Sequence, residues 1–119
     1  MDRKRLIREY KDTPRPAGVY RVRNKANGKS LLGSGRDLPG ILNRQRFQLQ
    51  MGVHPDRELQ KDWNDFGPDA FEFETLDQLG PSEEPGYDPT NDLRALTQMW
   101  WEKLSTSGVA LYPHSSRGA

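Results

Sequence analysis

The segments that decide the fold are AGVYRVRN at residues 17–24, NGKSLLGSG at 27–35, LQKDWNDFG at 59–67 and FEFE at 71–74. Side chains in the first segment alternate with a period of two, which is typical of a β-strand. The Asn27-Gly28 pair that follows suits the positive φ angles of a tight turn. The sequence therefore predicts a β-hairpin over residues 17–33.

Two helices and a third strand are predicted after the hairpin. The first helix begins at Asp37-Leu38-Pro39, where the aspartate suits a cap and the proline a first turn, and it ends at Gly52. The second begins at His54-Pro55-Asp56 and ends at Gly67-Pro68, and alternation over residues 70–76 indicates a strand. The predicted buried faces are Leu38, Ile41, Leu42 and Leu49 in the first helix and Leu59, Trp63 and Phe66 in the second.

The remaining segments complete an α+β domain. Thr90 is a suitable N-cap for a last helix that closes at Gly108, and residues 109–112 are predicted to add a short strand. The element order is (α)ββααβα, a small three-stranded antiparallel sheet flanked by helices. We divide the chain into a basic arm or helix at residues 1–16, one domain at 17–112 and a disordered tail at 113–119.

Composition excludes several classes of protein. A chain of 119 residues fits one domain, and the absence of cysteine excludes disulfides, thiolate zinc sites and cysteine nucleophiles. No run approaches the roughly 18 apolar residues that a membrane span requires. The basic residues 1–5 lack the apolar segment of a secretory signal. We therefore expect a cytoplasmic protein with no membrane partner.

The net charge of +1 hides an asymmetry between the two halves of the chain. Residues 1–61 contain 15 Lys and Arg against 6 Asp and Glu (net +9), and residues 62–119 contain 3 against 11 (net −8). A basic half suits phosphate binding. The alternative is that the two halves pair with each other across a compact domain.

The order of the motifs resembles that of the GIY-YIG nuclease family. Gly18-Val19-Tyr20 stands where the family has its first tripeptide, and Leu31-Leu32-Gly33 stands where it has its second. The resemblance implies the same small sheet flanked by helices. It also implies phosphodiester chemistry, which the family divides among two tyrosines, an arginine, often a histidine, and a glutamate that binds metal.

Only part of that catalytic set is retained. Tyr20 matches the first tyrosine, whose hydroxyl in the family lies near the attacking water, but Leu31 replaces the second tyrosine. Ile41 stands where the resemblance places the arginine. Arg44 lies one helical turn further on and is the candidate to replace it. Tyr20 and Arg44 are therefore the predicted catalytic residues.

The family's histidine and glutamate are also absent from their expected positions. Gln45 aligns with the histidine and cannot act as a general base, and Thr97 aligns with the glutamate. Thr97 is a poor sole ligand for a divalent ion, which prefers carboxylate oxygen. His54 and His114 give no metal-binding spacing, and His54 suits a turn or cap role. We predict no metal ligands, and Mg²⁺ or Mn²⁺ as a cofactor only if the protein is catalytic.

Basic side chains collect on the predicted hairpin and on the elements after it. We expect them to contact phosphate, with Gly33 allowing close approach of the backbone. The alternative for the basic residues is a solvated charged face. The predicted nucleic-acid-binding residues are Arg21, Arg23, Lys25, Lys29, Gly33, Arg36 and Arg46.

The sequence favours a divergent GIY-YIG nuclease-like domain that binds DNA, with weak or lost phosphodiester cleavage. One alternative is an active, metal-dependent endonuclease with a rebuilt site. Another is a protein-interaction module that retains only the fold and meets a protein partner through residues 82–92 and the pair Trp100-Trp101. The sequence does not decide whether the protein is an enzyme, nor does it name a target structure or an oligomeric state.

Overall fold

The computed structural model describes residues 16–80 and 86–118. The predicted N-terminal arm or helix lies outside the described residues. The elements, in chain order, are β1 (Gly18–Asn24), β2 (Ser30–Gly35), α1 (Leu38–Met51), α2 (Arg57–Phe66), a 3₁₀ turn (Pro68–Ala70), β3 (Phe71–Gln78) and α3 (Thr90–Thr106). The predicted α+β class and the order ββααβα are confirmed.

The three strands form an antiparallel sheet with β1 in the centre, in the order β2-β1-β3. The hairpin register places Tyr20 opposite Gly33 and Val22 opposite Leu31. Gly28 has a φ of 76°, as the predicted tight turn requires. Because successive side chains on a strand point to opposite faces, Val19 and Tyr20 lie on different sides of the sheet.

A separate cluster of apolar side chains covers each face of the sheet. Tyr20, Val22 and Leu31 pack with residues of α1 and α2, among which Leu38, Leu49 and Leu59 are almost completely buried. On the other face, Val19 and Leu32 pack against Leu104, and half-buried side chains of α3 extend this contact. The site described below therefore belongs to the face that α1 and α2 cover.

Two aspartates fix the starts of the first two helices. Asp37 Oδ1 accepts the Gly40 N–H at 3.2 Å at the start of α1. Asp56 Oδ1 accepts the N–H groups of Glu58 and Leu59, each at 3.1 Å, at the start of α2. Such bonds satisfy backbone donors that have no partner within the helix.

Two details of the predicted helices are wrong. Phe66 is half exposed, and Gln60 is buried on α2 instead. The Gln60 amide donates to the Leu49 carbonyl at 3.0 Å, so a polar side chain joins α2 to α1. At α3 the cap position is occupied by Pro89, and Thr90 is the first helical residue, whose N–H donates to Asp88.

Residues 109–118 follow the outer edge of β2. Leu111 forms a single parallel bridge to Ser30, where a short strand was predicted. The tail, for which we expected disorder, is bonded to the sheet and to α2: Ser116 N–H donates to the Leu32 carbonyl at 2.8 Å, and His114 N–H donates to Asp56 Oδ2 at 2.8 Å. Hydrogen bonds to the sheet and to Asp56 therefore hold this C-terminal segment in place, although its composition is typical of a loop.

Candidate functional site

The candidate site is centred on the hydroxyl of Tyr20. The Tyr20 ring lies over Gly33 on the neighbouring strand, and a Cβ at position 33 would overlap the Tyr20 hydroxyl and Cζ. Gly33 is thus needed to seat this ring, which is a different role from the close approach of nucleic acid predicted for it.

A chain of hydrogen bonds runs from the start of α2 to this hydroxyl. The Asp56 N–H donates to His54 Nδ1 at 3.0 Å, which fixes the neutral ring with its proton on Nε2. His54 Nε2 then donates to Gln45 Oε1 at 2.5 Å, and Gln45 Nε2 donates to the Tyr20 oxygen at 3.3 Å. Because Tyr20 accepts this bond, its own O–H proton is directed away from Gln45.

Arg44 lies close enough to Tyr20 to affect its ionisation. Burial raises the pKa of Tyr20 above its ordinary value of 10.0, and the positive charge of Arg44 opposes this shift in pKa. Tyr20 therefore remains a protonated donor at neutral pH. The structure thus places the exposed side chain of Arg44 within electrostatic range of the Tyr20 hydroxyl.

Sequence reasoning missed the part that His54 takes in this arrangement. The predicted turn or cap role of His54 is confirmed by the bond from the Asp56 N–H to Nδ1. In addition, His54 is 6% exposed and orients Gln45, which the sequence did not indicate. The spacing between positions 45 and 54 carries no periodic signal, because a helix end and a turn separate them. The left-handed Gly52 that ends α1 reverses the chain and brings His54 back toward Gln45.

The positions at which the sequence departs from the family are filled by packing. Leu31 is buried in the cluster beneath α1. Ile41 is partly buried there, and its Cδ1 fills the space that a Cβ on Gly35 would occupy. Thr97 is 0% exposed, and its hydroxyl donates to the Leu93 carbonyl at 2.6 Å. None of these side chains offers a group to a substrate.

The residues present do not fit the divalent metal of the family. Thr97 offers no carboxylate at the position of the family's glutamate, and its hydroxyl is already used within α3. Among residues 16–80 and 86–118, no group of three His, Asp or Glu side chains could hold a metal ion. No step of the chemistry is therefore assigned to a metal.

Most of the predicted nucleic-acid-binding cations have an acidic partner. Arg21 binds Glu74 at 2.5 Å, and Arg36 binds Asp88 at 2.5 Å. Glu72 lies 3.8 Å from Arg23 and 3.9 Å from Lys25, and Glu58 pairs with Lys29. Most of these acidic partners belong to the acidic half of the chain. These contacts correspond to the alternative interpretation of the charge asymmetry, in which the two halves pair with each other.

Arg44 and Arg46 differ from these paired cations. In the part of the chain that the structure describes, neither has a carboxylate partner. The Arg46 guanidinium lies over the Phe73 ring, 4.5 Å from its centroid, which holds the cation in place without neutralising it. The available positive charge beside Tyr20 therefore comes from α1.

Acid is expected to destabilise the fold through His54. Burial lowers the pKa of His54 below its ordinary value of 6.5, against the opposing charge of Asp56. The folded state thus prefers the neutral ring, and the unfolded state binds more protons between the two pKa values. Stability should be fully present above about pH 6.5 and should fall as the pH drops through that value toward the lower pKa.

Thermal unfolding between about pH 7.5 and pH 5 measures this dependence, in a range where model carboxylates stay ionised. The variant His54→Asn should lose most of the pH slope. The matched control is His114→Asn, since the His114 side chain is exposed and its charge is the smallest of the causes that act on the His54 pKa. This control should keep most of the slope. An unchanged slope in His54→Asn would contradict the assignment.

The fold is that of the GIY-YIG nuclease catalytic domain, as the sequence motifs predicted. Two solved structures share it: the catalytic domain of intron endonuclease I-TevI, with a TM-score of 0.62 and 22% identity over 79% of this chain and 94% of that chain, and a point mutant of the same domain. The mutant has a TM-score of 0.63 and 23% identity over 82% of this chain and 91% of that chain. At these identities the likeness establishes the fold alone.

One curated relative is similar in sequence. The chain is 30% identical over 63 residues to intron-associated endonuclease 1 of Enterobacteria phage T4. The match includes 53% of this chain and spans about a quarter of the relative's length. No family model matches the chain. No helix among the described residues is both long and apolar enough to cross a lipid bilayer.

Proposed function

We propose that this chain is a GIY-YIG nuclease-like domain that binds DNA and in which phosphodiester cleavage is weak or lost. The observation that carries the proposal is the pairing of Tyr20 with Arg44. The Tyr20 hydroxyl accepts from Gln45 and keeps its own proton to donate, and the nearby Arg44 has no carboxylate partner among residues 16–80 and 86–118. Together these two groups suit one phosphate group. The proteins that the chain resembles are endonucleases, a class of enzyme that acts on nucleic acid, and this supports a nucleic-acid ligand.

Weak or lost cleavage rests on the groups that replace the family's catalytic residues. Leu31 and Ile41 supply no proton donor or cation, and the Thr97 hydroxyl is buried and engaged. The Gln45 amide donates a hydrogen bond to Tyr20 but cannot take up a proton as a general base would. The site retains what is needed to hold a phosphate and lacks a strong base and a carboxylate for metal.

The test combines a binding titration over a salt series with a cleavage assay in Mg²⁺ and Mn²⁺. Arg44→Ala should weaken binding about tenfold and reduce the salt slope by about one, as for a lost phosphate contact. Tyr20→Phe should weaken binding by less, because one neutral donor is lost. The charge-matched control is Lys103→Ala, on α3 across the sheet, which should bind like the wild type.

Two results would contradict the proposal. Absence of binding to duplex, branched and single-stranded DNA at low salt would remove DNA as the partner and favour the protein-interaction alternative. Metal-dependent cleavage that both Tyr20→Phe and Arg44→Ala abolish would instead show an active nuclease with a rebuilt site.

A further inference from the structure

Three large apolar side chains are exposed at the end of α1, next to the proposed phosphate site. Phe47 is 59% exposed, Met51 is 62% exposed and Val53, just beyond the helix, is 64% exposed. Phe47 and Met51 are neighbours on the helix surface because four residues separate them. We name Phe47, Met51 and Val53 the apolar wedge.

The wedge continues the helix face that carries Arg44. Phe47 and Met51 follow Arg44 by three and seven residues, which places all three along one side of α1. At a rise of about 1.5 Å per residue, Phe47 is displaced about 4.5 Å and Met51 about 10 Å along the axis from Arg44. At about 3.4 Å per nucleotide along one strand, these displacements correspond to roughly one and three nucleotides.

The charges of α1 indicate what the wedge contacts. Leu38–Met51 contains Arg44 and Arg46 and no acidic residue. Its other exposed polar side chains include the amides of Asn43 and Gln50, which donate and accept hydrogen bonds. The helix α1 therefore presents cations, and no acidic residue of its own, beside flat or flexible apolar side chains. This surface is complementary to nucleic acid, a polyanion whose bases have apolar faces.

We infer that the apolar wedge contacts the faces of nucleic-acid bases beside the phosphate held by Arg44 and Tyr20, so that the preferred ligand is DNA containing unstacked bases. This inference rests on the proposed function and names its substrate class. Base faces are covered in an intact duplex and become available at bulges, at branches and in single strands. Apolar side chains at such places stack on the exposed base or enter the opened step.

The experiment compares the affinity of the protein for a short duplex and for the same duplex with a central bulge of unpaired nucleotides. Wild-type protein should bind the bulged DNA at least about fivefold more tightly, as expected for one stacked base. The double variant F47S/M51S should bind the intact duplex like the wild type and lose that preference. A 2-aminopurine in the bulge should change its fluorescence with wild type and not with the double variant.

Two further variants separate the wedge from general effects. Phe66→Ser removes a half-exposed apolar side chain at the end of α2, and it should keep the preference. Arg44→Ala should weaken binding to both DNAs while leaving their ratio unchanged. Thermal unfolding should show that F47S/M51S is as stable as the wild type, since both side chains are exposed.

The outcomes distinguish failure of the wedge from failure of the proposed function. Equal affinity for both DNAs, or a preference that survives in F47S/M51S, overturns the wedge and leaves DNA binding intact. No binding to either DNA overturns both. A concentration-dependent dimer of the wild type that F47S/M51S abolishes would assign this face to a second copy of the chain and overturn the inference.

Discussion

Asp56→Ala should lower the free energy of unfolding by about 3 kcal/mol. The substitution removes the N-cap of α2 and leaves the His114 N–H without its hydrogen-bond acceptor. The carboxylate is 0% exposed and accepts three backbone N–H groups: Glu58 and Leu59 on Oδ1, and His114 on Oδ2. One side chain therefore both starts α2 and holds the C-terminal segment against it.

Urea or thermal unfolding of three variants tests this prediction. Asp37→Ala is the comparison at the start of α1, because Asp37 also caps a helix, and the lost cap alone should cost about 1 kcal/mol. Asp56→Asn keeps one acceptor oxygen and should fall between wild type and Asp56→Ala. Stability of Asp56→Asn equal to that of the wild type would show that the bond from His114 to Asp56 Oδ2 contributes nothing.

The Asp56→Ala substitution should also alter the candidate site. The Asp56 N–H donates to His54 Nδ1, and His54 in turn holds Gln45 against Tyr20. A disordered start of α2 would release His54 and leave the Tyr20 hydroxyl without an oriented partner. DNA binding measured well below the unfolding temperature should therefore weaken in Asp56→Ala and remain in Asp37→Ala.

The fold could be predicted from local signals because each element carries its own. The Asn27-Gly28 turn, the aspartate caps and the left-handed Gly52 act within a few residues, so periodicity and turn chemistry identify them. The exception is Phe66, which has the helical spacing of a core residue yet remains exposed. Its exposure depends on where α2 ends relative to the sheet, which spacing alone does not specify.

The candidate site could be predicted only where a motif marked it. Tyr20 and Arg44 were identified from the motif and from helical periodicity, and the structure brings them together. His54 was not, because its contact with Gln45 depends on the path of the chain after Gly52. The spatial use of the basic half was not predictable for the same reason: ion pairs such as Arg21–Glu74 involve five of the six cations predicted to bind nucleic acid.

Gly33→Ala should lower the free energy of unfolding by about 2–3 kcal/mol, in the range measured when a group is forced into a packed core. The Tyr20 ring covers Gly33 from the opposite strand, and the new Cβ would overlap the ring. Gly33 is buried and its φ is not positive, so the loss would come from this overlap and not from backbone strain.

A double-mutant cycle isolates that overlap. Tyr20→Leu shortens the side chain that the Cβ would meet, so Gly33→Ala should cost much less in the Tyr20→Leu background than in the wild type. Gly80→Ala is the control, since a Cβ there meets nothing within 4 Å, and it should leave stability unchanged. Additive losses in the cycle would mean that Gly33 is required for a reason other than the Tyr20 ring. Because the same movement displaces the hydroxyl from Gln45, Gly33→Ala should also weaken DNA binding at least as much as Tyr20→Phe does.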